Sequence, residues 1–142
     1  MDVVLKRVYE KPVRSDGTRV LVDRLWPRGL RKEAAAVDAW LKNLAPSDML
    51  RRWYHARPNQ FENFRKRYLR ELNRPDAAGD LEELYSLAES RKRVTLLYSS
   101  KNTEGNNAVV LKDLLDGMRK PPSSSGPSYA AGAARQRARP RR

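Results

Sequence analysis

The segment RVLVDR, Arg19 to Arg24, constrains the fold most. Its Val-Leu-Val run leaves no polar side for water, so it reads as a strand buried on both faces, a habit of parallel sheets. RVTLLYSS, Arg93–Ser100, is the clearest strand in the chain. VVLKRVYE, Val3–Glu10, alternates apolar and polar residues at Val4, Lys6 and Val8 and predicts a shorter one. Between the strands the apolar residues recur at helical spacing. Strands separated by helices predict an α/β layer fold, with a small, mostly parallel sheet flanked by helices.

Turn chemistry at Asp16 and Gly17 divides the first two strands. A helix is predicted from Lys32 to Leu44, because Val37, Trp40, Leu41 and Leu44 share one face. Pro46 and Ser47 end it, and Ser47 caps a short helix carrying Leu50, Trp53 and Tyr54. A third helix, opened by Pro58 and stopped by Pro75, has the stripe Phe61, Phe64, Tyr68 and Leu72. Asp80 to Glu83 reads as a capping box for a fourth, with Leu81, Leu84, Tyr85 and Ala88. A last helix carries Val110, Leu111, Leu114, Leu115 and Met118.

Composition then narrows the class. The chain of 142 residues has room for one modest core. It has no cysteine, hence no disulfide and no thiol nucleophile, and its one histidine, His55, argues against a zinc site. No apolar run is long enough to span a membrane, and the N-terminus is too weakly apolar for a signal peptide. These readings predict a cytoplasmic protein without a metal site. Its formal charge of +13 is uneven: all 17 acids precede residue 117, and Arg119–Arg142 holds seven basic residues and no acid. We therefore divide the chain into an α/β domain, 1–118, and a Pro/Ser/Ala/Arg-rich basic tail, 119–142, expected to be disordered.

If the second and third strands are parallel neighbours, the loops after them, DRLWPRG and SSKNTEGNN, leave from one sheet edge, where α/β proteins bind ligands. Arg24 and Arg28 can grip a carboxylate or phosphate, and Lys101 adds a charge. Trp26 offers a stacking face. Ser99 and Ser100 can donate hydroxyls, and Asn102, Asn106 and Asn107 can donate or accept. Asp23 is the candidate general base or hydrogen-bond anchor. Each has a plainer reading. The arginines could lock onto Asp23 or a helix carboxylate, Trp26 could be core, and the second loop could simply cap a helix through Asn102 or Thr103. No Walker A or GxGxxG motif is present. His55 reads as a surface or capping residue, and the cations of FRKRYLRE, Phe64–Glu71, read first as a solvated helix face.

VLVDRLWPRGL, DAWLKNLAPSDMLRRWYH and TLLYSSKNTEGNNAVVLKDLL together resemble the YeaO-like family, domain of unknown function 488, from about Val4 to Leu115. The resemblance implies a small bacterial-type cytoplasmic α/β protein and carries no agreed activity. The family often has an acid where this chain has Asn102 and a histidine where it has Gly105. Acid/base or metal work done by those groups would be missing here, while anion binding would survive.

Two functions follow as expectations. The first is a site for an anionic small molecule, a nucleotide or phosphorylated metabolite, with any reaction undefined. No cofactor is identified; Mg²⁺ would enter only with a phosphate ligand. The alternative is non-specific nucleic-acid association through residues 119–142, whose arginines would contact phosphates without reading sequence.

Overall fold

The computed structural model describes residues 2–118, so the expectation of a disordered tail lies outside the described residues. Four strands form one all-parallel sheet: β1 (Asp2–Arg7), β2 (Thr18–Leu21), β3 (Ala39–Trp40) and β4 (Arg93–Tyr98), in the order β1-β4-β2-β3. The helices are α1 (Lys32–Ala35), α2 (Asp48–His55), α3 (Phe61–Glu71), α4 (Pro75–Ser90) and α5 (Asn107–Met118). The fold is thus the α/β class read from the sequence. No helix among the described residues is long and apolar enough to cross a membrane.

The apolar run in β4 marks the centre of the sheet. It pairs with β1 from Val3 opposite Val94 to Arg7 opposite Tyr98, and with β2 from Thr18 opposite Val94 to Leu21 opposite Leu97. Alternate residues then serve two layers. Val20, Val22, Val94, Leu96 and Tyr98 join the helical core with Leu50, Phe64, Tyr68, Leu84 and Leu111. On the opposite face Val8, Leu21 and Leu97 are covered by Trp26, Leu30 and Val37 from the connection between β2 and β3.

That second face also buries a charged cluster. Asp16, in a 3-10 turn at Arg14–Asp16, accepts from Lys6 at 3.0 Å and from Arg19 at 2.6 Å. Burial works to raise the Asp16 pKa, but the Val13 N–H, Lys6 and Arg19 more than offset it and hold the carboxyl below its ordinary range. Gly17 follows with φ +67°, and a Cβ there would lie 2.5 Å from the Arg93 carbonyl oxygen, so glycine is required twice over.

The helix predicted from Lys32 to Leu44 is overturned. It stops after Ala35, and Ala36 takes the left-handed conformation at φ 48°. The Arg19 guanidinium donates to the Ala35 and Ala36 carbonyls, holding the end of α1. The chain then runs along β2: Asp38 exchanges hydrogen bonds with the Arg19 backbone, and Leu41 N–H donates to the Leu21 carbonyl. Partners on a neighbouring strand outweighed local periodicity. Asp80 is corrected too. Pro75 starts α4 rather than only ending α3, as its missing N–H allows at a first helical position. Asp80 lies inside that helix and accepts from the Asn43 N–H at 2.9 Å. Ser47 does cap α2, accepting from Leu50 N–H at 3.1 Å.

Candidate functional site

Because β2 and β4 are parallel neighbours, the loops after them emerge side by side. Asp23 fastens the two. One carboxylate oxygen accepts from both the Ser99 N–H and the Ser99 hydroxyl at 2.8 Å; the other accepts from the Asn107 side-chain amide at 3.2 Å. The same amide donates to the Val22 carbonyl at 3.0 Å, tying the first turn of α5 to the end of β2. Among the described residues every donor to this carboxylate is neutral. Neither Arg24 nor Arg28 pairs with it.

The second loop is built largely from its own polar groups. Asn102 accepts the Glu104 and Gly105 N–H groups, and the Ser100 hydroxyl oxygen accepts the Asn102 N–H. Asn106 accepts from the Val109 N–H at 3.0 Å and so caps α5, while its amide donates to the Asn102 carbonyl. The cap is Asn106, not Asn102 or Thr103 as the capping reading held. Lys101 is exposed and makes no hydrogen bond or ion pair among the described residues.

On the first loop, Trp26 donates to the Leu30 carbonyl at 2.6 Å and meets Trp40 edge-on at 5.5 Å. Its ring packs against the Val8, Leu21 and Leu97 cluster. Trp40 in turn donates to the Asp23 carbonyl at 2.8 Å, steadying the loop. Arg24 and Arg28 are exposed and form no ion pair among the described residues. They are not placed together. The Arg28 carbonyl accepts from Tyr9, beyond the end of β1, whereas Arg24 lines a cavity of about 60 Å³ with Ser47, Glu71 and Arg74. Arg24 also adds, after Arg51 and Arg52, to the positive surroundings that hold the Asp48 carboxyl below its ordinary range.

Two residues at this edge were not singled out from the sequence. Arg7, the last residue of β1, donates to the carbonyls of Ser99 at 2.8 Å and Ser100 at 3.0 Å. Its position at a strand's carboxyl end was the available signal. Tyr54 donates to the Gly105 carbonyl at 2.9 Å, and burial pushes its phenol pKa up, so the donor stays protonated. A Cβ on Gly105 would lie 2.6 Å from the Tyr54 hydroxyl oxygen and 3.1 Å from the Phe61 ring. The space a histidine would need at position 105 is therefore taken. Among the described residues, no group of three His, Cys, Asp or Glu side chains is placed to hold a metal ion.

The sequence pattern described as the inactive DUF488-N3 subclade matches residues 2–130. An uncharacterised Escherichia coli K12 protein, YeaO, is 44% identical over 115 residues, covering 81% of this chain and 97% of the relative. An uncharacterised Mycobacterium bovis protein is 42% identical over 115 residues, covering 81% and 94%. An uncharacterised Mycobacterium tuberculosis protein has the same identity and coverage. No solved structure matches the chain.

Proposed function

The chain belongs to the DUF488 family, the YeaO-like group, and on that premise we propose that it is a non-catalytic binder of a phosphate-bearing small molecule at the carboxyl ends of β2 and β4. The observation that carries this reading is the division of labour at the sheet edge. Asp23 takes its hydrogen bonds from Ser99 and Asn107, which leaves Arg24, Arg28 and Lys101 without an ion pair among the described residues, Arg24 standing near Asp48 and Glu71. Guanidinium groups free of ion pairs and set on rigid loops suit phosphate. Asp23 acts as the joint between the loops rather than as a base, since both its oxygens already accept hydrogen bonds. Ser100, Asn102 and Asn106 shape the second loop, and Trp26 braces the first.

The absence of chemistry in this proposal rests on two further points. The matched subclade is described as inactive. The acid and histidine that the family often carries are replaced by Asn102 and Gly105, and Tyr54 fills the room beside the latter. The cavity beside Arg24, about 60 Å³, is far below the roughly 300 Å³ at which enclosed small-molecule pockets begin, so the ligand lies on the rim with its charged group gripped and the remainder in solvent.

A thermal-shift series with inorganic phosphate, pyrophosphate and nucleoside phosphates tests the reading. A ligand at 100 times its Kd adds about 2.7 kcal/mol of stability. Because Arg24 and Arg28 stand at separate points of the rim, at least one of Arg24→Ala and Arg28→Ala should weaken the response at least tenfold in ligand concentration while leaving the unliganded midpoint unchanged. Equal responses from the wild type and both variants would dismiss the site.

A further inference from the structure

A second cationic surface lies on α2 and α3 and meets the first loop only at its Arg74 end, where Arg74 and Arg24 line one cavity. Between Arg51 and Arg74 eight of the ten charged residues are basic. Three are matched: Arg51 and Arg52 pair with Asp48, and Arg65 pairs with Asp113. Glu71 is occupied by the Ser47 N–H and hydroxyl. Arg57, Lys66, Arg67, Arg70 and Arg74 remain exposed and have no acidic partner among the described residues.

Their placement is ordered. At 100° per residue, Lys66, Arg67 and Arg70 project within about 100° of arc along α3, turned away from the buried Phe64 and Tyr68, and Arg74 follows three residues past the end of the helix in extended conformation. Glu62, one turn before Lys66, is the acid on this side. Arg57 from the end of α2 joins the row across Trp53, whose ring lies 5.2 Å from its guanidinium and 4.2 Å from that of Arg67. Such contacts hold a guanidinium in place without neutralising it. At the far end Arg74 shares the small cavity with Arg24, beside Glu71 and Asp76.

We propose that this α2–α3 row is an interface for the phosphate backbone of nucleic acid, contacted without sequence reading. A row of cations without ion pairs, two of them held against Trp53, complements a regularly spaced polyanion. The row presents no exposed aromatic ring for base stacking, since Trp53 is half-buried beneath its two arginines. The net charge of +13 supplies long-range attraction.

The test is fluorescence anisotropy with a labelled 20-base-pair DNA duplex over a salt series, using full-length chains. All seven basic residues from Arg119 to Arg142 are changed to Gln in the parent, to separate the tail from the row. Adding Lys66→Gln, Arg67→Gln, Arg70→Gln and Arg74→Gln should lower affinity at least tenfold. It should also reduce the slope of log K against log salt by about 3.6, at roughly 0.9 per phosphate contact. A control in the same parent, Lys11→Gln, Lys32→Gln, Arg91→Gln and Lys92→Gln, removes equal charge elsewhere and should change affinity less than threefold. Circular dichroism checks folding; if the quadruple row variant is unfolded, the pair Lys66→Gln and Arg70→Gln takes its place, with a slope change of about 2. Binding lost equally in the control, a parent that does not bind, or poly-glutamate of matched charge displacing the duplex as well as unlabelled duplex does would each overturn the assignment.

Discussion

Asp16 and Asp23 flank the same strand, β2, and are handled in opposite ways. Asp16 is buried and gathers Lys6 and Arg19, so its charge is spent on holding the sheet to α1. Asp23 is half-buried and is held by Ser99 and Asn107, so it joins two loops without consuming a cation. One carboxylate closes an ion cluster; the other leaves neighbouring arginines open to solvent. The amino-terminal end of the strand closes on its own charges, and the carboxyl end is where binding is proposed.

Substitutions at five positions test that contrast, from the largest expected effect to the smallest. Asp16→Ala strands two cations and should cost about 3–5 kcal/mol in urea unfolding. The pH dependence has a definite sign. Because the folded Asp16 pKa is lowered from 3.8, its contribution is complete above that value and is lost as pH falls through the lower, folded pKa. Asp16→Asn should therefore lessen the loss of stability between neutral and strongly acidic pH. An unchanged acid profile would remove Asp16 from the ion-cluster side of the comparison. Gly105→Ala pushes a methyl group against Tyr54 and Phe61 and should cost about 1–3 kcal/mol, partly regained in a Tyr54→Phe background.

Asp23→Asn keeps the shape but turns one accepting oxygen into an NH2 donor, so the bonds from Ser99 or the bond from Asn107 are lost, and it should cost about 1–2 kcal/mol. It should also loosen the loop after β4, seen as faster amide exchange at Ser99. A cost equal to that of Asp16→Ala would erase the difference between the two ends. Arg24→Ala and Arg28→Ala should alter stability by less than about 0.5 kcal/mol, since neither side chain has an acidic partner to lose. A larger cost in chemical denaturation would show that these arginines serve the fold.

Much of this was legible in the residues. The apolar runs of β2 and β4 announced a parallel sheet, and their adjacency brought Asp23 to Ser99. The short strand Ala39–Trp40 and the 3-10 turn Lys42–Leu44 were not legible, because the helical spacing of this stretch is genuine and the deciding contacts come from Arg19 and Leu21, far off in sequence. The roles of the asparagines were hidden for a related reason. Asn106 and Asn107 are adjacent, yet one caps a helix and the other reaches across to β2, a split set by the direction of α5. The separation of Arg24 from Arg28 likewise depends on how the loop turns at Pro27 and Gly29, the latter at φ 76°.

The connection that carries Arg24 and Arg28 is also the roof over Val8, Leu21 and Leu97. Such a roof cannot swing freely, for lifting it would wet three leucine- and valine-sized surfaces at once. Evolution can therefore exchange the side chains on its outer rim, but has little freedom to lengthen or slacken it. Any molecule captured on that rim would make its presence felt beneath, as slower deuterium uptake along the middle of the sheet.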